Sequence, residues 1–374
     1  MPDKVRNFIY ELQYNFVFLQ SVKKAVIMED INPRNIESLT NLLKAAEHPV
    51  IVTHAKPDGD AIGSSVAMYH FLNMIGRTDV RIVLNDRYPK YLNFIIKTVA
   101  DGDIVIYDDN QDGAKEAIMN SDLIFCLDFN AFHRTRNLET YLTESTAAKV
   151  LIDHHLDPDK ESFTVSFSKT DVSSASEHVY QVLMSTPYIS GDASKLPADS
   201  LLAIMTGMTT DTNNLNNSVF PSTLEMASEL LRCKVDRDLV LSKINLEHSE
   251  NRLRLKGFML KDLLKVTDDG VAYMILDKEA QNTYHMQEGD TEGFVNEPLS
   301  IARVRMSIYA REEKNEIRIS IRSKKGTSAN RCAKLFFNGG GHENAAGGKL
   351  TIPVNEVEEY INTYTHIYMT EHEK

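Results

Sequence analysis

Four aspartates and a set of histidines stand at the ends of apolar runs, and their types and order point to metal chemistry. VIVT (50–53) leads into His54-Ala-Lys-Pro-Asp58-Gly-Asp60, and LIFCL (123–127) ends at Asp128. KVLI (149–152) ends at Asp153-His154-His155, and LLAIMTGMTT ends at Asp211. Taken singly, an Asp-Gly-Asp is ordinarily a solvated turn, a His-His pair is ordinarily incidental, and Asp211 is an acceptable helix cap. Recurrence in a fixed order at four segment ends is a different matter. Asp58, Asp60, Asp128 and Asp211 gathered in one crevice would carry four negative charges, and without compensation some would have to protonate. Two divalent cations neutralise all four, with imidazoles completing the shells. Carboxylate and imidazole donors without thiolate suit Mn²⁺ ahead of structural zinc, with Mg²⁺ and Fe²⁺ behind it. Two such ions roughly 3.5–4 Å apart form a clamp for in-line displacement at phosphorus. Pro57 stiffens the first turn, Gly59 lets it bend, and Asp60 is expected to cap a helix starting at Ala61.

The elements that must position these groups follow from the pattern. Short β-branched runs at 50–53, 80–84, 104–107, 123–127 and 149–152 read as buried strands, separated by helix-like stretches such as 61–74. Such alternation implies an α/β fold, a doubly wound parallel sheet whose ligands sit at the carboxyl ends of its strands. The expected organisation is an extension over 1–35, a metal-binding domain over 36–221, a helical connector over 222–264 and a smaller α/β domain over 265–374. Strands are expected in the last at 271–276, 304–310 and 316–322, with a polar helix after 351. Residues 5–27 read as an amphipathic segment rather than a signal peptide, since charged and amide residues interrupt them, and Met28 is an alternative start.

Composition narrows the field. The chain has 374 residues, 42% hydrophobic and 25% charged, with a net charge of −12. That balance excludes wrapping of long duplex nucleic acid, which needs many clustered cations. Cys126, Cys233 and Cys332 are scattered, with no CxxC spacing, so neither a zinc site nor a disulfide framework is indicated and a reducing cytoplasm is expected. No apolar run reaches 18 residues, which argues against a membrane partner. Against this acidic background, residues 303–349 hold eleven Lys or Arg and four Glu, a local excess of +7. Within it lies Asn338-Gly-Gly-Gly-His342, which is no P-loop because no Gly-Lys-Ser/Thr follows. Three glycines let backbone amides approach an anion, although a bare GGGH is more often a flexible turn. Arg318, Ser320 and Arg322 share one face of their strand. Phe336 and Phe337 could stack a base, but adjacent phenylalanines are more often core.

These motifs resemble, in order, those of the DHH phosphoesterase superfamily: THAKPDGDAIGSS, Asp128, LIDHH and MTGMTTDT. RSKKGT (322–327) and FNGGGHENAAGG (337–348) resemble the first subtype of its associated C-terminal domain. The arrangement is most similar to the bacterial oligoribonucleases (nanoRNases) that also dephosphorylate 3′-phosphoadenosine 5′-phosphate (pAp). The resemblance implies one Mn²⁺ on His54, Asp58 and Asp128, and another on Asp60, Asp128, His154 and Asp211. It further implies that Asp153 orients His154, that His155 faces the substrate phosphate, and that Arg322, Ser323, Gly339, Gly340, Gly341 and His342 bind substrate. Ser173-Ser-Ala-Ser-Glu177 resembles a segment near the metal cleft, though an N-cap with a supporting acid explains it equally. Relatives carry an aromatic or arginine shortly after the last motif aspartate, whereas here Asp211 precedes Thr-Asn-Asn-Leu-Asn-Asn-Ser.

The expected activity is release of 5′-nucleotides from short single-stranded oligoribonucleotides and removal of phosphate from pAp. The alternatives are hydrolysis of linear dinucleotides derived from cyclic signals, a single-strand-specific exonuclease, and a non-enzymatic binding module. The sequence leaves room for a homodimer.

Overall fold

The computed structural model describes residues 31–372 other than 247 and 288, so most of the extension expected over 1–35 lies outside the described residues. The chain forms two compact units, one ending at Leu246 and the other running from residue 247 onward. The division falls inside the stretch 222–264.

The first unit is built on six strands: β1 (Pro49–Thr53), β2 (Arg81–Leu84), β3 (Ile104–Ile106), β4 (Leu123–Leu127), β5 (Ala148–Asp153) and β6 (Val165–Ser168). Their order is β3-β2-β1-β4-β5-β6, with every pairing parallel. Side chains alternate between two apolar layers. Ile51, Ile82, Phe125 and Ile152 enter one, while Val50, Val52, Ile124 and Cys126 enter the other. Helices cover both: α1 (Pro33–Ala45), α2 (Gly59–Met74), α3 (Gln111–Met119), α4 (Glu139–Glu144), α5 (Ala175–Ser185), α6 (Ala198–Asp211), α7 (Pro221–Arg232) and α8 (Arg237–Asn245). This is the doubly wound sheet expected. Strand order reverses between β1 and β4, and a parallel sheet opens a crevice at such a switch point. His54 and Asp128 directly follow those two strands.

One strand expectation needs correcting, and one strand is additional to those expected. β3 is half-buried rather than buried because it lies at the sheet edge. β6 went unread because only Val165 and Phe167 of its four residues face the core.

Helix α2 meets α6 along a seam of small residues. A Cβ on Gly63 would stand 2.6 Å from the Ala203 carbonyl oxygen, and one on Gly207 would stand 1.9 Å from Ser176 Oγ and 2.8 Å from Asp60 Oδ1. Only hydrogen fits there, and the seam brings the start of α2, with Asp60, against α6, which ends at Asp211.

The second unit is a mixed six-stranded sheet of order β11-β12-β10-β9-β8-β7. Its strands are β7 (Lys265–Val266), β8 (Val271–Leu276), β9 (Met306–Glu312), β10 (Ile317–Ser323), β11 (Gly340–His342) and β12 (Ala345–Leu350). Helices α9 (Glu250–Phe258), α10 (Lys278–Thr283), α11 (Ala329–Phe336) and α12 (Val357–Ile367) accompany it. Phe337 is fully buried and Phe336 packs on Tyr364 at 5.3 Å between ring centroids, so both serve the core.

The GGGH motif is a strand rather than a loose turn. Gly340–His342 pair antiparallel with Ala345–Gly347. The three glycines are small for different reasons: a Cβ on Gly339 would meet Gly347 O at 1.9 Å, Gly341 has φ 151°, and a Cβ on Gly340 would meet nothing nearer than Asn330 Oδ1 at 3.4 Å. Gly339→Ala is therefore expected to destabilise the second unit by roughly 3 kcal/mol or more, while Gly340→Ala stays within about 1 kcal/mol. Denaturant melts of the two variants check this; equal midpoints would refute it.

Candidate metal centre

The loop after β1 turns sharply, with Lys56 at φ 55°, and delivers Asp58 to the start of α2. Asp58, not Asp60, is the N-cap: its Oδ1 accepts from Asp60 N at 3.0 Å and Ala61 N at 3.1 Å. Asp60 lies one residue inside the helix and is held by another element. Its Oδ2 accepts from Ala175 N at 2.6 Å and its Oδ1 from Ser176 N at 2.9 Å, so the first amides of α5 grip both oxygens. Unpaired amides at a helix N-terminus favour a carboxylate there. Asp128 leaves β4 in the left-handed region at φ 63°, a conformation that Asp tolerates better than most residues. Asp211 is the last residue of α6.

The groups converge. His54 Nε2 stands 3.4 Å from Asp128 Oδ2 and 3.9 Å from Asp58 Oδ1. His154 Nε2 stands 3.4 Å from Asp128 Oδ1, 3.8 Å from Asp60 Oδ2 and 3.8 Å from Asp211 Oδ2. Two donor sets result, His54–Asp58–Asp128 and Asp60–Asp128–His154, each with its atoms within 4.8 Å of one another. Asp128 belongs to both.

The electrostatics are those of a site with surplus negative charge. Asp60, Asp128, His54 and His154 are all buried, whereas the Asp58 side chain is 47% and that of Asp211 30% exposed. Burial disfavours the charge on His54, but its contact with Asp128 and the charges of Asp128 and Asp58 outweigh it and raise the imidazole to about 8. Burial likewise opposes charge on His154, yet Asp128, Asp211 and Asp60 raise it to about 10. Burial, then Asp128 and Asp211, push the Asp60 carboxyl well above the usual range. Asp128 goes the other way: burial is outweighed by His154 and His54, which hold it well below. Protons on the imidazoles thus do part of what a cation would do.

A divalent ion fits this donor set. Oxygen and nitrogen atoms in a shell of radius about 2.1 Å are separated by roughly 3.0–3.4 Å, close to the spacings present. Asp128 Oδ1 is buried without a hydrogen-bond partner among the described residues, since His154 Nε2 approaches to 3.4 Å without the angles of a hydrogen bond. A buried, unsatisfied carboxylate oxygen is costly unless something else binds it.

The Asp153 side chain grips a different histidine from the one expected. Its Oδ1 accepts from His155 Nδ1 at 2.7 Å and its Oδ2 from His155 N at 3.1 Å, so it orients His155 rather than His154. His178 Nδ1 donates to the Asp153 carbonyl at 3.1 Å, and burial lowers that imidazole to about 4.

Comparison with known proteins follows the same residues. Residues 48–208 match the model of the DHH family, N-terminal domain, and residues 268–368 that of the DHHA1 domain. The exopolyphosphatase-related protein of Bacteroides fragilis is 36% identical, superposes with a TM-score of 0.83, and is matched over 91% of this chain and 98% of its own. The chain belongs to the DHH family. Its members are phosphoesterases, and this chain is a hydrolase acting on phosphoester bonds. The bifunctional oligoribonuclease and PAP phosphatase NrnA of Mycoplasma genitalium is 25% identical over 85% of this chain and 93% of its own length. The protein of that name from Bacillus subtilis is 25% identical over 80% and 88%. RecJ of Thermus thermophilus, solved in complex with Mn²⁺, is 14% identical with a TM-score of 0.52 over 90% of this chain and 54% of its own, a likeness of fold alone. Among the described residues no helix is long and apolar enough to cross a membrane.

The DHHA1 domain treats its expected substrate residues unequally. Arg322 lies on the half-buried face of β10 with Arg318 and Ser320. Ser323 is buried and its hydroxyl is engaged, donating to Thr327 O at 2.6 Å and accepting from Asn344 Nδ2 at 3.0 Å. Its side chain therefore ties the turn together. His342 closes β11. Beside Gly340, a hollow of about 600 Å³ is lined by Asn330, Arg331, Lys334 and neighbours. Sequence reasoning passed over these α11 residues, whose spacing is that of any amphipathic helix.

Two features of the DHH domain were also hidden in the sequence. Glu177 is fully buried and accepts from five donors: Ser173 N at 3.0 Å, Ser173 Oγ at 2.5 Å, Thr223 Oγ1 at 2.7 Å, Ser222 Oγ at 2.6 Å and Gln181 Nε2 at 3.1 Å. The N-cap reading holds for Ser174, whose Oγ accepts from Glu177 N, but the acid also reaches across to α7. After Asp211, residues Asn213, Asn214 and Leu215 all have positive φ, from 47° to 65°. Thr212 Oγ1 accepts from Leu215 N at 2.9 Å and Arg237 donates to Asn214 Oδ1 at 2.7 Å, which stabilises this left-handed turn. Asparagine tolerates that conformation better than most side chains.

Proposed function

We propose that this chain releases 5′-nucleotides from short oligoribonucleotides and dephosphorylates pAp, using two divalent cations with Mn²⁺ foremost. The observation that carries the reading is the match, over nearly their whole length, to relatives named bifunctional oligoribonuclease and PAP phosphatase. The convergence of His54, Asp58, Asp60, Asp128, His154 and Asp211 supports it.

His54, Asp58 and Asp128 would hold one ion, and Asp60, Asp128, His154 and Asp211 the other. When bound, such ions would polarise a phosphoryl oxygen and lower the pKa of a coordinated water. The chain's own residues do the rest. Asp128 supplies charge to both positions, and the α5 amides keep Asp60 in place while its second lone pairs stay usable. Asp153 fixes His155 with Nδ1–H directed at the carboxylate, so Nε2 is the ring atom through which a proton passes to a leaving oxygen. Burial lowers the His155 imidazole from its usual range, against the opposing pull of the Asp153 and Asp128 carboxylates. In the DHHA1 domain, Arg322 and His342 would hold the remaining substrate phosphate or ribose.

The test is a substrate panel with Mn²⁺: a trinucleotide RNA, pAp, a linear dinucleotide, a long single strand and pyrophosphate. Turnover of the trinucleotide and pAp at least tenfold above the others is expected, with loss of turnover in EDTA. Preference for the long strand or for pyrophosphate would overturn the assignment.

A further inference from the structure

We propose that Arg134 is a phosphate-binding residue of the DHH domain, a cation held beside the candidate metal centre for an oxygen of the substrate's or product's phosphate. The proposal rests on the phosphoester chemistry of the family and on the reading of that centre, not on which nucleotide is preferred.

Backbone placement is the first observation. Arg134 lies on the loop that follows Asp128, and its carbonyl accepts from Ala55 N at 2.8 Å, immediately after His54. That bond stitches the loops after β4 and β1 together at the sheet's switch point. The rest of the loop is equally fixed. Asp128 N donates to Ile152 O at 3.1 Å, Asn130 Nδ2 to Leu156 O at 2.7 Å, Thr135 Oγ1 to Phe132 O at 2.7 Å, and Asn137 N to Asn85 Oδ1 at 3.1 Å. Arg136 takes φ 52° and ψ −108°, breaking the helical turn just after Arg134. A non-glycine residue in that conformation persists only where its surroundings over-determine it, so Arg134 is presented from a rigid backbone.

The second observation is what the side chain does. Arg134 is half-buried, and among the described residues its guanidinium makes no hydrogen bond or ion pair. Several other arginines of the first unit find acceptors: Arg81 pairs with Asp103, Arg87 with Asp109 at 2.7 Å, and Arg77 donates to Ala46 O at 2.9 Å. Arg134 stays unpaired although Asp58 and Asp128 lie on the neighbouring loops. It is nevertheless near enough for its positive charge to oppose protonation of His54.

A guanidinium with unused donors, half desolvated and beside a centre that would carry two divalent ions, can be compensated by an anion with several acceptor oxygens. Phosphate offers that, and a planar fork of N–H groups matches two of its oxygens. Since the basic excess of the chain lies in the DHHA1 domain, Arg134 gives the DHH domain a cationic contact of its own.

The experiment uses the full chain, Mn²⁺-loaded, as wild type, Arg134→Ala and Arg134→Lys. Inorganic phosphate binding by calorimetry, kcat and KM for pAp, Mn²⁺ affinity and melting temperature are measured on each. Arg134→Ala is expected to weaken phosphate binding at least tenfold and to lower kcat/KM by 10- to 100-fold, with Mn²⁺ affinity and melting temperature unchanged. Arg134→Lys should recover part of the phosphate affinity but not the geometry of a two-oxygen contact. Phosphate affinity within twofold of wild type in Arg134→Ala overturns the proposal. So does a loss that tracks a parallel loss of Mn²⁺ affinity, since that would make Arg134 a prop for the loop. Should wild type bind phosphate but turn over neither pAp nor short RNA, the substrate assignment fails while the phosphate arm still decides Arg134.

Discussion

Asp128→Asn should fold normally yet lose both bound ions' proper affinity and at least about 10³-fold in kcat/KM, equivalent to several kcal/mol of transition-state stabilisation. Fold survival is expected because Asp128 has φ 63°, and asparagine accepts the left-handed region as readily. The amide removes one negative charge from the carboxylate common to both donor sets. His54 and His154 then lose the partner that stands 3.4 Å from each. Metal content by inductively coupled plasma spectrometry, with turnover of pAp and a trinucleotide, checks this. A variant keeping two ions per chain and activity within tenfold of wild type would sink the reading of the centre.

Glu177→Ala is expected to have the largest effect on stability. The carboxylate satisfies five donors from α5, its preceding turn and the start of α7, and no cationic side chain is bonded to it among the described residues. Removing it strands buried hydroxyls and a buried amide, each costing about 1–3 kcal/mol where water cannot substitute. A net loss of roughly 4 kcal/mol, or about 10 °C in melting temperature, follows. Glu177→Gln should lose less than half as much, because serine and threonine hydroxyls can turn to suit an amide. The same change should weaken Mn²⁺ binding, since Ala175 N and Ser176 N, which hold Asp60, begin the helix that Glu177 anchors. A Glu177→Ala protein melting within 2 °C of wild type would show that the carboxylate does not carry this load.

How far these features were legible before any coordinates is uneven, and the reasons are physical. Strands β1, β4 and β5 are buried on both faces, so they read as continuous β-branched runs, and the chemistry at their ends was easy to place. β6, with two polar residues in four, gave no such run, and β3 read as more buried than an edge strand is. Asp58, Asp60, Asp128, His154 and Asp211 were legible because order and residue type suffice to nominate them. What each one touches was not. Asp60 looked like a cap for its own helix, but Asp58 takes that part and Asp60 is gripped by the amides of Ala175 and Ser176, more than a hundred positions away. Asp153 was paired with the wrong neighbour because a strand's end does not reveal which of two adjacent imidazoles turns back toward it. Glu177 and Arg134 sit in segments whose local pattern is an ordinary cap and an ordinary loop. Their interest comes only from tertiary neighbours.

The grip of the α5 amides on Asp60 has a thermodynamic corollary. With that carboxylate anchored before any ion arrives, cation uptake should demand little rearrangement of the chain and bury little new apolar surface. Calorimetric titration should then show a heat-capacity change near zero. The folded state would retain the whole of the binding free energy as resistance to heat, about 4 kcal/mol when free cation exceeds its dissociation constant a thousandfold.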